Sequence, residues 1–236
     1  MSSHIAFSNP GRDHPNQDYM AVYASGDAEM LVIADGIGGE AGGAVAAKSA
    51  VEAAGRIFQD NPETHLLPLF EAARSAVSAL ASSDKKLSSM GTTLTVCIVK
   101  GNSARFGHVG DTRLYHLRGD DLIKRTKDQT EMQHLLDAGV LTKSKAKTYH
   151  RRNILLSAIS ARSEFTLQQG SFDLLEGDRL ILMSDGAYSL ISKRRLRDLS
   201  RSYLDLSEAA TALEDELKNG KVHDDFTAVL FQMSSE

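Results

Sequence analysis

Five aspartates stand where a folded chain could turn them toward one another. The apolar run over residues 31–34 reads as a buried strand; it ends in Asp35, and Gly36, Gly38 and Gly39 follow at once. A second strand-like run, over residues 179–183, leads into Ser184-Asp185-Gly186. Asp111 lies in a turn between two strand patterns, Asp224 immediately precedes the last one, and Asp18 closes Asn16-Gln17-Asp18 just before an early one. Glycines beside these acids let the backbone turn sharply and approach a ligand closely. Any one of the five is an ordinary turn or capping residue. Together they are not, because crowded carboxylates repel and cannot all stay ionised without cations. Oxygen-only ligation suits Mg²⁺ or Mn²⁺ better than zinc. Two such ions are the usual equipment for hydrolysing phosphate esters, where they activate a water and neutralise the transferring phosphoryl group.

The rest of the chain has to bring those strand ends to one edge. Short strands are expected over residues 4–10 and 19–24 around a polar loop, 11–18. Residues 44–58 are alanine-rich and helical, and a second helix is expected over 62–82, with Pro62 in its first turn. Leu66, Phe70, Ala73, Val77 and Leu80 mark that helix's apolar face. The period then switches to two: 92–99, 104–109, 113–117 and 122–125 read as strands joined by glycine turns in an antiparallel meander. A helix is expected over 130–138 with Gly139 at its C-terminal cap. The polar, Lys- and Arg-rich stretch 142–152 has no period and reads as a mobile surface segment. Helical patterns at 193–201 and 207–219 and a strand at 226–233 complete the chain, which points to an α+β class with helices covering antiparallel sheets.

Composition narrows the function classes. The 236 residues, 42% hydrophobic and 25% charged, suit one ordinary globular domain. A net charge of −4 leaves no basic footprint for nucleic acid. No apolar run reaches the length of a membrane span, and the N-terminus lacks the pattern of a signal peptide. The single Cys97 precludes an intramolecular disulfide and, placed in a strand pattern, reads as a core thiol. A cytoplasmic monomer is the expectation, with neither nucleic acid nor membrane as partner.

Six motifs in order carry a family resemblance. They are Gly11…Asn16-Gln17-Asp18, the stretch from Val32 to Gly39, Met90-Gly91-Thr92-Thr93-Leu94, Gly107-His108-Val109-Gly110-Asp111-Thr112-Arg113, Met183-Ser184-Asp185-Gly186 and Asp224-Asp225-Phe226-Thr227. The chain resembles, over nearly its whole length, the metal-dependent protein phosphatases of the PP2C (PPM) type in their compact bacterial form. That resemblance implies an α/β/β/α sandwich of two antiparallel sheets flanked by helices, as a single domain with a flap at about 140–160. It implies a serine/threonine phosphatase acting by direct attack of a metal-activated water, with two core Mn²⁺ or Mg²⁺ ions and room for a third. Asp35 would bridge the two ions and the Gly36 carbonyl would bind one. Asp185 and Asp224 would complete the other shell, with Asp18 acting directly or through a water. Asp111, with Asp185, would form the outer third site. The partners implied are phosphorylated serine/threonine proteins, including a cognate kinase or its substrates.

Several positions depart from the family pattern. The arginine that binds substrate phosphate usually stands a few residues before the Asn-Glu/Gln-Asp triplet; here Arg12 is the candidate and His14 the alternative. Gln17 replaces a glutamate. Ile37 stands where many relatives carry a histidine proposed as general acid, so leaving-group protonation must come from elsewhere; His108 is one possibility, a strand histidine the other. Asp128-Gln129 replaces a common Asp-His pair. Phosphate-binding Gly-x4-Gly-Lys and Cys-x5-Arg loops are missing, which excludes those enzyme classes. A non-catalytic module of the same fold, binding a kinase or phosphoprotein, and a phosphatase for small phosphomonoesters are the rival readings.

Overall fold

The computed structural model describes residues 2–12 and 15–234. Its strands are β1 (Ser3–Asn9), β2 (Asp18–Ser25), β3 (Ala28–Ile37), β4 (Gly91–Thr92), β5 (Leu94–Lys100), β6 (Ser103–Val109), β7 (Arg113–Arg118), β8 (Asp121–Lys124), β9 (Ile159–Ser160), β10 (Gln168–Asp173), β11 (Arg179–Met183) and β12 (Phe226–Gln232). The helices are α1 (Gly39–Asp60), α2 (Leu66–Ser83), α3 (Glu131–Asp137), α4 (Lys143–Ala146), α5 (Asp185–Leu190), α6 (Lys193–Ser202) and α7 (Leu206–Lys218). A five-stranded sheet runs β1-β12-β11-β7-β8, and a seven-stranded one runs β10-β6-β5-β3-β4-β9 with β2 on the free side of β3. All pairings are antiparallel.

Alternation along the central strands explains the four layers. In β3, Met30, Val32 and Ala34 face α1 and α2, whereas Leu31 and Ile33 face the other sheet. In β11, Leu180 and Leu182 meet that same interface while Ile181 and Met183 pack under α5, α6 and α7. A strand buried on both faces has no polar side to show, which is why these runs read as continuously apolar. Helices on the two outer faces therefore enclose three apolar layers, the α/β/β/α arrangement expected. Cys97 lies in the middle layer, fully buried, and burial pushes its thiol up to about 12, as a core cysteine requires.

Several elements differ from the sequence expectation. The second helix starts at Leu66, so Pro68 and not Pro62 sits in its first turn; Pro62 stays in the connection, where its carbonyl accepts from Arg105. The strands from 92 to 125 are not one meander. β5 and β6 pair in the seven-stranded sheet, and β7 and β8 in the five-stranded one. The chain changes sheets at Gly110-Asp111-Thr112, and Gly110, at φ +108°, takes the backbone through a region that disfavours a side chain. β10 carries the polar, half-exposed sequence Gln-Gln-Gly-Ser-Phe-Asp of an edge strand and offers no apolar run. The aperiodic 142–152 stretch contains the one-turn helix α4, capped by Thr142.

His108, in β6, is fully buried with Nδ1 2.8 Å from the Thr95 hydroxyl, and burial lowers its pKa to about 4. It is thus a strand histidine held neutral. The folded chain keeps it unprotonated where an unfolded histidine, at about 6.5, would charge. Its contribution is complete above that value and is lost as pH falls toward 4. In EDTA, the drop in urea-unfolding free energy between pH 7.5 and pH 5 is expected to be smaller by about 2 kcal/mol in His108→Gln than in the parent. Equal drops would show that the imidazole is not held neutral.

Candidate metal centre

The edge at which the two sheets meet gathers the acids. Asp18, first residue of β2, stands directly opposite Asp35 of β3 in the strand register. Asp111 occupies the crossing between β6 and β7, Asp185 is the first residue of α5, and Asp224 sits on the loop before β12. Like charges placed opposite one another destabilise a sheet, so another requirement has to keep Asp18 and Asp35 there.

Electrostatics express the same conflict. Burial pushes the Asp35 carboxyl well above the usual range, and Asp18, Asp185, Asp111 and Asp224 raise it further. Burial takes Asp18 up to about 7; the Ser184 and Thr227 hydroxyls pull down while Asp225 and Asp185 push up. Asp111 is driven up to about 8 by burial, with Asp185 and Asp128 adding to it and Arg113 opposing. Asp185 is raised by burial and by Asp224, against a hydrogen bond to Asp35. Without a cation, then, the cluster keeps protons that a solvated carboxylate would release. The donors are right in kind for a hard divalent ion, being oxygens throughout. Among the described residues, however, no three His, Cys, Asp or Glu side chains are drawn into a ready-made cage. The acids share one electrostatic neighbourhood without closing on a point.

Backbone clamps hold the acids in place. The Asp35 N–H donates to the Thr93 hydroxyl (2.8 Å), and its carbonyl accepts from the Thr93 N–H and the Thr92 hydroxyl (2.9 Å each). The Ser184 hydroxyl donates to Asp18 (2.7 Å) and accepts from the Thr227 N–H (3.0 Å), tying one sheet to the other beside the cluster. The Asp225 carboxylate accepts from the Gly11 and Gln17 N–H groups, 2.7 Å each, and so pins both ends of the Arg12 loop. Gln129 explains one departure from the family pattern. Its Oε1 accepts from the Gly110 N–H (2.9 Å), its Nε2 donates to the Thr166 carbonyl (2.8 Å), and its own carbonyl accepts from Leu156 (2.8 Å). It thereby fastens the Asp111 crossing to both ends of the 130–166 excursion. Arg113 grips Asp128 with two bonds (2.7 and 3.1 Å), and its guanidinium lies 3.4 Å over the Tyr188 ring of α5.

Two cavities open onto the cluster and share Asp111, Asp185 and Asn153. One is about 550 Å³ and bounded by Arg152, Lys221 and His223; the other, about 450 Å³, is bounded by Ile37, Met90, Ile154 and Leu155. Of the sequence-predicted residues, Asp35, Asp111, Asp185 and Asp224 line one or both, and Asp18 and Gly36 adjoin Asp35. Arg12 is exposed on its loop and lines neither; His14 lies outside the described residues. Sequence reasoning missed Thr92, Thr93, Ser184, Asp225 and Gln129 as positioning residues. All but Gln129 stand inside or beside the quoted motifs, which was the available signal.

The profile of the family described as Protein phosphatase 2C matches residues 8–220. The chain is 30% identical over 229 residues to the protein phosphatase PhpP of Streptococcus pneumoniae serotype 2, covering 94% of this chain and 93% of that one. It is 33% identical over 220 residues to the serine/threonine protein phosphatase PstP of Mycobacterium tuberculosis, covering 91% of this chain and 41% of the longer relative. Its fold superposes with a TM-score of 0.84 on the catalytic domain of a serine/threonine protein phosphatase PstP in complex with two manganese ions, at 30% identity and 99% coverage of both chains.

Proposed function

The chain belongs to the protein phosphatase 2C family, and on that premise we propose that this protein hydrolyses phosphoserine and phosphothreonine in proteins at the edge where its two sheets meet. The observation that carries the reading is Asp35, a half-buried carboxyl at the mouth of a cavity, whose proton affinity is raised by desolvation and by Asp18, Asp111, Asp185 and Asp224. Such a cluster wastes stability unless divalent cations occupy it.

Mn²⁺ or Mg²⁺ is the proposed cofactor, as two core ions with a third, weaker site. Asp35 and the Gly36 carbonyl, Asp185 and Asp224 would hold the core pair, with Asp18 acting directly or through a water; Asp111 with Asp185 would hold the outer one. When bound, the ions supply the Lewis acidity that activates a water and offsets phosphoryl charge. The chain's own groups do the rest. Asp35 and Asp185 are the catalytic carboxylates, fixed by the Thr92–Thr93 clamp and by α5. Arg12, on the loop that Asp225 pins, is the candidate bidentate donor to the phosphoryl oxygens. The segment at about 140–160 forms the flap of what we take to be one domain. Phosphorylated serine/threonine proteins, including a cognate kinase or its substrates, are the partners that fit this reading.

Hydrolysis of para-nitrophenyl phosphate and of a phosphothreonine peptide with Mn²⁺, with Mg²⁺ and with EDTA tests it. Metal-dependent turnover of both substrates, abolished by the chelator, is the expected result. No turnover with two ions bound by calorimetry would overturn the catalytic reading, and EDTA-resistant turnover would overturn the metal assignment.

A further inference from the structure

Resting on the phosphatase reading above, we infer that the 550 Å³ cleft beside the acid cluster recognises an anionic side chain, carboxylate or second phosphate, on one flank of the phosphorylated residue. Two cations, Arg152 and Lys221, line it together with the imidazole of His223. Arg152 comes from the segment after α4, and Lys221 and His223 come from the loop between α7 and β12. None of the three makes an ion pair or side-chain hydrogen bond among the described residues.

Many of the chain's other cations, and those nearest the cleft in particular, are tied down. The adjacent Arg151 is locked on Glu131 by bonds of 2.7–3.1 Å, Arg113 and Lys124 share Asp128, Arg118 grips Asp178, and Arg195 grips Glu216. The acids that line the cleft are committed in turn. Asp128 is neutralised by its two cations, and Asp111, Asp185 and Asp224 are the proposed metal ligands. With the cluster neutralised, the cleft presents free positive charge next to the point of hydrolysis, and an anionic neighbour of the phosphoresidue complements it.

The second cavity differs. Ile37, Met90, Ile154 and Leu155 give it apolar walls, and Arg162, which also lines it, donates its Nε to the Ser88 carbonyl (2.9 Å). A peptide lying across the cluster would therefore meet the free cations on one side and apolar surface on the other. The anion preference belongs to one flank.

The test uses the Mn²⁺-loaded protein and phosphothreonine peptides of equal length carrying Glu, Lys or phosphoserine two residues before or two residues after the phosphothreonine. On one flank only, kcat/KM is expected to favour Glu or phosphoserine over Lys by about tenfold, the sum of two exposed pairs, and 0.5 M salt should shrink the ratio. Phosphoserine well above Glu would identify a second phosphate as the ligand, and parity would mean any anion; both support the cleft. Arg152→Glu combined with Lys221→Glu should invert the Glu-to-Lys ratio, a comparison internal to one enzyme sample and so insensitive to its folded fraction. A ratio near one on both flanks, or a preference the double variant leaves unchanged, would overturn the inference. Para-nitrophenyl phosphate, with no flanks, separates the outcomes: its hydrolysis with flat peptide ratios refutes the cleft alone, whereas its failure refutes the phosphatase reading.

Discussion

Asp35→Asn is expected to reduce turnover by about a thousandfold or more while leaving the metal-free protein at least as stable as its parent. The two halves of that result come from one carboxyl. Asp35 is half-buried, and desolvation together with Asp18, Asp185, Asp111 and Asp224 raises its folded pKa. A raised carboxyl contributes stability that is fully present at low pH and lost as pH rises through the folded value. At pH 8 in EDTA the parent therefore carries a half-buried anion, or a proton taken up at a cost, that the amide does not. Asparagine keeps the shape and removes the penalty. It also removes the charge on which two cations would converge. Thermal melts should show the parent gaining stability on addition of Mn²⁺ and Asp35→Asn gaining little. A variant less stable than the parent in EDTA would mean that Asp35 is held by its surroundings for structure alone. Near-normal turnover would remove it from the centre.

How much of this was legible depends on what each residue does in the fold. Asp35 and Asp185 stood out because β3 and β11 are buried on both faces, and a continuous apolar run that stops at an acid is visible in one dimension. Asp111 was picked out for the right position and the wrong architecture. Read along the chain, residues 104–117 alternate like a meander; in space the chain leaves one sheet for the other at Gly110, a change of partner that alternation cannot register. β10 was invisible because an edge strand with one half-covered face has no need of apolar residues. Gln129 was equally opaque. Its three attachments lie 19, 27 and 37 residues away along the chain, and only closure of the 130–166 excursion brings them to one amide side chain and its own backbone. The free state of Arg152 beside the tied Arg151 is the same kind of fact, since two adjacent arginines are indistinguishable until Glu131 selects one.

Gly36→Ala should be a severely damaging single-methyl change on the edge that carries the acids, although Gly36 needs no left-handed backbone. A Cβ there would lie 2.3 Å from both the carbonyl carbon and the carbonyl oxygen of Gly43 in α1, and 2.7 Å from the Gln17 carbonyl oxygen. All three are backbone atoms, so no side chain can rotate away. Relief requires α1 and the loop before Asp18 to move apart, and the Gly36 N–H now donates to that same Gln17 carbonyl at 3.2 Å. Overpacking of this kind costs about 1–3 kcal/mol or more. The displacement falls on the two strands that carry Asp18 and Asp35, so activity should be lost along with stability. Gly26→Ala is the informative comparison. Gly26 sits at φ +60° in the β2–β3 turn, and nothing lies within 4 Å of its added carbon. Its cost is conformational, about 1–2 kcal/mol, with turnover per folded molecule unchanged. Urea midpoints and Mn²⁺-dependent hydrolysis of both variants separate the two effects. If Gly36→Ala keeps the parent's turnover per folded molecule, the close packing of α1 against the end of β3 does not position the acids, and the geometry assigned to this edge is wrong.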